Sequence, residues 1–398
     1  MFRFTILPML VASPILVFAQ TSASAHESTA APPALVAGID IGSKGVRGVV
    51  VEIHSEAGQT KMTHRFAKSV NTTIIQGVEQ TGKLDARNIS ETVDQVVRMR
   101  RIIVEEYGIA PEKIEIVASS GVAMASNKDE LAQAVKEHLK TALTFFTYEV
   151  ELKRVFFGTV PAEHVNEAIL YDQGSGDTKA IAFGDRRVGN HGWYVSQQYR
   201  GGTVTFAARI DQAAQAAKIP FTTQLRQYRP TLEQQLTDVA DQNPTIQHNR
   251  HRVYLTGGIV WAMASVLHPE QVHEPMVRLD PADFDRFLDL LYQTPEAFPI
   301  VDLTRIENNK QRAAAEKELN RVRDVFTLKQ LLAGTELLRA AAKANRFHAK
   351  ELSFARNGVF AWVLGKVQED AFDAVGPQTV YPRYAPRTGL KLLMRRFQ

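Results

Sequence analysis

Two stretches, Leu35-Val36-Ala37-Gly38-Ile39-Asp40-Ile41-Gly42-Ser43 and Ala168-Ile169-Leu170-Tyr171-Asp172-Gln173-Gly174-Ser175, share one pattern: an apolar run that stops at Asp-x-Gly-Ser. After the first, a small-residue turn reaches Gly45 and the chain resumes as the β-branched run Val46 to Ile53; after the second, the turn ends at Thr178 and Ala180 to Phe183 follows. Both read as strand-turn-strand hairpins. A single Asp-x-Gly-Ser is an ordinary strand-ending turn, because Asp, Gly and Ser favour turns for local reasons. Its repetition inside matching hairpins points further. Glycines let backbone N–H groups approach an anion, and an Asp at a strand end can hold a metal ion or orient water. Two such hairpins facing each other would clamp a phosphate.

Strand and helix signals alternate around the hairpins, which predicts an α/β fold. Ser90 is positioned to cap a helix with Val93, Val96, Val97 and Ile103 on one face, ending at Gly108, and a buried strand is expected over Ile114 to Ala118. Asn127 with Glu130 resembles a capping box opening a helix toward Ala142 on Leu131, Val135 and Leu139. Glu149 to Gly158 reads as a helix leaving a first lobe, and a lobe boundary is expected near residue 160. The polar stretch Thr222 to Arg252 reads as partly loop. Val253 to Thr256 then runs into Gly257-Gly258 and an apolar helix, which sets backbone N–H groups at a helix N-terminus, a natural place for phosphate. Ala313 to Asn345 is helical in pattern, and Tyr381 to Arg387 reads as an irregular tail.

A length of 398 residues fits a body of two or three domains at about 150 residues each. At the N-terminus, Arg3 precedes an apolar run from Phe4 to Phe18 with small residues after it, so residues 1–25 read as a signal peptide and Thr21 to Pro33 as a leader. The expected location is therefore outside the cytoplasm, periplasmic or secreted, with no membrane span left after cleavage. The chain has no cysteine, which excludes disulfides and thiolate metal sites. Its net charge of +4 is scattered rather than gathered in a patch, and nucleic acid is not an expected partner. His248 and His251 lack an evident third ligand and read as solvent-exposed, and Trp193-Tyr194 reads as packing.

The pieces taken together resemble one family. Ile39 to Ser43 resembles the opening motif of the exopolyphosphatase/guanosine pentaphosphate phosphatase family (Ppx/GppA). Ser119 to Asn127 sits where that family has Thr-Ser-Ala-Leu-Arg-Glu-Ala-x-Asn, and Phe146 to Gly158, with Glu149 and Glu151, sits where it has Ile-Ser-Gly-Glu-Glu-Glu-Ala and the helix after it. Asp172 to Lys179 resembles its Asp-Ile-Gly-Gly-Gly-Ser-Thr-Glu, and Arg356-Asn357-Gly358 its late Arg-Glu-Gly. The resemblance implies two actin-like (ribonuclease H-like) lobes of mixed sheet with helices, spanning residues 34–160 and 161–398, with a cleft between them.

The departures fall on the chemistry. The family's water-activating glutamate aligns with Met124, and the acidic group ending the second motif aligns with Lys179; a thioether takes no proton, and an ammonium repels a divalent metal. What the resemblance leaves is a phosphate cradle of Asp40, Gly42, Ser43, Lys44, Gly174, Ser175, Gly176, Thr178, Lys179, Gly257 and Gly258. Lys44 and Lys179 are its added cations. The expected function is binding of polyphosphate or a phosphorylated nucleotide with little or no hydrolysis. Two readings stand beside it. One is a working phosphohydrolase that uses Asp177, Glu149 or Glu151, with Asp172, and Mg2+ held by Asp40 and Asp172. The other is a ligand-free envelope scaffold, for which a homodimer or an envelope protein would be the partner.

Overall fold

The structure, a computed structural model, describes residues 34–56, 59–183 and 194–366. The expected signal peptide and leader, Trp193 and the tail from Tyr381 lie outside the described residues.

The first hairpin is made by β1 (Ala34–Gly42) and β2 (Gly45–Glu56), whose antiparallel register closes at Gly42 opposite Gly45. β3 (Gln59–Asn71) pairs with the far side of β2, while β4 (Ile114–Ala118) runs parallel to β1 and ends beside it, Ala118 opposite Ile41. β5 (Thr144–Phe145) completes a five-stranded sheet ordered β3-β2-β1-β4-β5. The chain then repeats itself. β6 (Ala168–Gln173) and β7 (Thr178–Phe183) form the second hairpin, and β8 (Tyr194–Tyr199) lies outside β7. β9 (Arg252–Thr256) runs parallel to β6 with Thr256 opposite Asp172. With β10 (Met276–Leu279) and β11 (Glu351–Ala355) the second sheet is ordered β10-β11-β9-β6-β7-β8. Strand for strand, β8-β7-β6-β9-β11 copies β3-β2-β1-β4-β5. Each central strand is apolar on both faces, as a sheet covered on both sides requires.

Each sheet has its own core. In the first, Ile39, Ile41 and Val50 pack against Val93, Val96 and Met99 of the helix Ala86–Tyr107. In the second, Tyr171, Leu255, Ile259 and Phe287 belong to a larger cluster covered by the helices Gly258–Leu267, Asp283–Gln293 and Leu328–Ala344. A third cluster lies between the sheets: Val49, Val51 and Val117 from the first, Ala168, Leu170 and Ile181 from the second, and Leu152 and Phe156 of the helix Tyr148–Thr159. Trp362 and Val363 join this cluster from the chain's far end, and a Cβ on Gly38 would lie 2.4 Å from the Trp362 ring. So the chain past residue 160 does not touch the second lobe alone: Val359, Trp362 and Val363 also pack against the first sheet.

Local physics moved several expected boundaries. The first long helix starts at Ala86, because the Asp85 side chain accepts from the N–H groups of Arg87 and Asn88; Ser90 lies inside it. Asn127 spends its side chain on the Leu84 backbone, at 2.7 and 3.0 Å, so it does not cap the helix Lys128–Leu139 even though it also reaches Glu130. The polar stretch after Thr222 is mostly the helix Phe221–Asp241: Leu225, Leu232, Leu236 and Ala240 form a narrow buried stripe on an otherwise polar surface. Ala313 to Asn345 divides into the helices Asn309–Val325 and Leu328–Ala344, the break being made where Thr327 caps the second with Gln330.

Candidate functional site

The duplicated topology brings four strand ends together, because in each sheet the hairpin turn lies beside the C-terminal end of its parallel neighbour. In the first lobe the chain leaves β4 through Ser119-Ser120-Gly121; in the second it leaves β9 through Gly257-Gly258. These are equivalent places. The two lobes meet there: a Cβ on Gly121 would stand 2.6 Å from the Ser43 hydroxyl and 3.5 Å from Gly176 Cα, and one on Gly176 would stand 3.1 Å from Gly121 Cα. The turns therefore face each other and touch, Ser43 and Ser120 being buried in the contact. Close approach of this kind needs glycine on both sides.

Lys179 is at the centre. Its side chain is 2% exposed, and its ammonium pairs with Glu151 at 2.9 Å, Asp177 at 3.3 Å and Asp172 at 3.6 Å while donating to the Ser120 hydroxyl at 2.9 Å. The surrounding groups are tied in turn. Glu151 accepts from the Ser120 N–H at 2.8 Å, Asp177 accepts from the Ser120 hydroxyl at 3.0 Å and from Gln198 at 2.8 Å, and Asp172 accepts from Thr256 at 2.8 Å. Burial alone would lower the Lys179 ammonium, but Asp177, Glu151 and Asp172 outweigh it and hold it above the ordinary lysine range. Burial pushes Asp172 up despite Lys179 and Thr256.

Asp40 forms a second pair. Its carboxylate lies 3.0 Å from Arg47, one strand across the hairpin, and burial pushes it up to about 6 against the pull of that guanidinium. Arg47, which reads from sequence as a surface charge, is thus part of the site. It also lies over Gly42, where a Cβ would be 2.2 Å from the guanidinium.

The other added lysine leaves the crevice. Lys44 crosses to the second lobe, where its ammonium donates to the Val325 carbonyl and to Gln330 at 2.9 Å and sits 4.5 Å from the centre of the Phe326 ring. Burial pushes it down to about 8. The same ring covers the Gly257-Gly258 turn, since a Cβ on Gly258 would meet it at 2.8 Å. Gly257 itself has φ +106 and presses on the Gln173 carbonyl, 2.1 Å from where a Cβ would stand, which leaves no alternative to glycine. In the second hairpin the carbonyls of Gly174 and Ser175 accept from the N–H groups of Thr203 and Val204 at 3.0 and 2.9 Å, and Thr178 bonds the Gly201 carbonyl.

Of the residues expected from sequence, Asp172, Asp177, Glu151, Lys179, Ser43 and Gly176 come together. Glu149 does not: it lies by Tyr148 and Tyr194, which burial with Glu149's help pushes up. Neither lysine is free to meet a phosphate chain in this arrangement. Lys179 is enclosed by carboxylates and Lys44 is held by the opposite lobe. Met124, which the resemblance sets against the family's glutamate, is 42% exposed. His248 bonds Arg346, and among the described residues no group of three His, Asp or Glu side chains is arranged for a metal ion.

Sequence reasoning passed over Ser120, Gly121, Gln198, Thr256 and Arg47. A signal existed for two of them. Ser119-Ser120-Gly121 follows the buried strand Ile114–Ala118 as Gly257-Gly258 follows β9, a second repetition beside that of the hairpins.

The resemblance implies Mg2+ on Asp40 and Asp172. The residues present do not fit it. Asp40 is bridged to Arg47 and Asp172 faces an ammonium, so each carboxylate already has its cation and a divalent ion would stand against like charge.

No model of a known protein family matches the sequence, and no curated protein does. Solved structures do match in shape. A Ppx/GppA family member from Aquifex aeolicus is 20% identical, with a TM-score of 0.57 over 85% of this chain and 99% of that one. An exopolyphosphatase from Cytophaga hutchinsonii is 14% identical, with a TM-score of 0.58 over 83% and 98%. A protein described as exopolyphosphatase-like is 15% identical, with a TM-score of 0.55 over 81% and 94%. These likenesses cover most of the chain and show its fold: two mixed sheets with helices in the two-lobed, actin-like arrangement of those structures.

Proposed function

We propose that this is an exported protein of the Ppx/GppA type that binds a phosphate-chain anion, polyphosphate or a phosphorylated nucleotide, between its lobes and hydrolyses it little or not at all. The observation that carries the proposal is the meeting of Ser43, Gly121 and Gly176 from two equivalent hairpin systems, which brings glycine backbone and a serine hydroxyl from both lobes to one place. Opening of the lobes by rotation, the ordinary motion of such folds, would expose that surface to an anion. Export rests on the Arg3 and Phe4 to Phe18 pattern.

Slow or absent hydrolysis follows from the state of the carboxylates. A general base must be free to take a proton from water. Asp177 and Glu151 instead face a buried ammonium and a serine hydroxyl or N–H, and Met124 contributes no carboxylate. Calorimetry with short-chain polyphosphate at low salt, run beside a phosphate-release assay, tests both halves. Heat of binding without released phosphate is the expected result. Absence of binding ends the ligand reading, and steady phosphate release that Asp172→Ala abolishes ends the claim of little hydrolysis.

A further inference from the structure

The fold arrives with an expectation of a divalent cation, and this chain disagrees with it at one point in space. A metal ion among Glu151, Asp172 and Asp177 would need oxygens from all three at roughly 2.0–2.6 Å. The Lys179 nitrogen occupies that centre, 2.9 Å from Glu151, 3.3 Å from Asp177 and 3.6 Å from Asp172. An ammonium has three hydrogens to give. The short approaches to Glu151, the Ser120 hydroxyl and Asp177 use all three, and Asp172 closes the ring through charge alone. The groups come from different parts of the molecule: Ser120 from the first lobe, Asp172, Asp177 and Lys179 from the second, Glu151 from the helix between them.

We infer that the Lys179 ammonium is the resident cation of this crevice: it fills the space among Glu151, Asp172 and Asp177, holds the strand ends of both lobes together, and makes the site independent of metal. This deepens the anion-binding reading of the same site, yet it concerns the protein without any anion. It also gives Glu151 and Asp177 a definite part, as positioning residues that hold the ammonium rather than as bases. A covalently attached cation cannot be removed by chelators or exchanged with its surroundings.

The test is Mn2+ binding to the full chain, followed by titration calorimetry and by the paramagnetic signal of the ion, with thermal midpoints taken in EDTA and in millimolar Mn2+. For the wild type the expected results are no saturable Mn2+ and the same midpoint in both solutions. For Lys179→Met, three carboxylates lose their counter-cation, so the midpoint in EDTA drops and Mn2+ restores part of it by mass action. One equivalent of Mn2+ on the wild type, lost in Asp172→Asn, overturns the inference; so does a folded Lys179→Met that Mn2+ leaves unmoved. Should Lys179→Met fail to fold, the wild-type titration decides alone. Neither experiment contains phosphate, so failure of polyphosphate to bind and failure of this inference are read separately.

Discussion

Replacing Gly121 by Ala tests whether the loop after β4 packs on the first hairpin turn, the contact that shapes the first lobe's side of the crevice. The new methyl carbon would stand 2.6 Å from the Ser43 hydroxyl and 3.5 Å from Gly176 Cα, well inside van der Waals separation for the first of these. Ser43 is itself buried, so the hydroxyl has little room to retreat. Overpacking of this kind costs about 1–3 kcal/mol. Gly121 also begins a helical turn, Ser120–Ala123, and Ala in a helix recovers up to about 1 kcal/mol of that cost. The net expected loss is about 1–2 kcal/mol. The partner that causes it is named, so a double-mutant cycle isolates it. In a Ser43→Ala background the obstructing oxygen is gone, and Gly121→Ala should be neutral or slightly stabilising there. Urea denaturation of the four proteins, followed by circular dichroism with the slope compared as well as the midpoint, supplies the numbers. If Gly121→Ala costs the same with and without the Ser43 hydroxyl, these two loops of the first lobe are not in contact and its side of the crevice is not built as described.

Asp40, at about 6 in the folded protein against an ordinary 3.8, binds a proton more readily folded than unfolded, so its ionisation weakens the fold as pH rises through about 6. The effect is up to about 3 kcal/mol, and Asp40→Asn should flatten stability across that window; parallel curves for variant and wild type would exclude it. Lys44 is pushed the other way, down to about 8, so it should add stability as pH climbs from about 8 toward the ordinary lysine value of 10.5; Lys350, also pushed down to about 8, acts in the same window, so Lys44→Met should reduce the rise in a thermal scan without removing it. Met124 is partly exposed, so Met124→Glu should leave the free energy of unfolding within about 0.5 kcal/mol of wild type. Assayed for released phosphate, that variant shows whether a restored carboxylate is sufficient; activity no higher than background is expected while Lys179 still holds Asp177 and Glu151.

The architecture was legible because it rests on local signals. β1, β2, β6 and β7 appear as apolar runs broken by Asp-x-Gly-Ser, and the register across each turn follows from the run lengths. The helix Phe221–Asp241 was not, since its buried stripe is one residue wide and the other faces are polar enough to resemble a loop. The site was legible in membership and not in direction. Sequence places Lys44 and Lys179 in the cradle and leaves open where their long side chains go. Lys179 turns inward because three carboxylates and Ser120 outbid solvent for it; Lys44 turns to the other lobe because Phe326 and the Val325 carbonyl lie within its reach. Asp172 and Asp177 are near neighbours of Lys179 in sequence, but Glu151 and Ser120, like the partners of Lys44, lie more than 20 positions away, which no local pattern encodes.

The contact of Val359, Trp362 and Val363 with the first sheet has a mechanical consequence. Two bodies tied by a single strand of polypeptide can swivel freely, whereas these are tied twice, by the helix Tyr148–Thr159 and by the stretch carrying Trp362, and the ties press together where Gly158 meets Ala361. Such a pair behaves as a door on two leaves of one hinge. Rotation of one body against the other is confined by those two ties, so the edge opposite them is where the two could part.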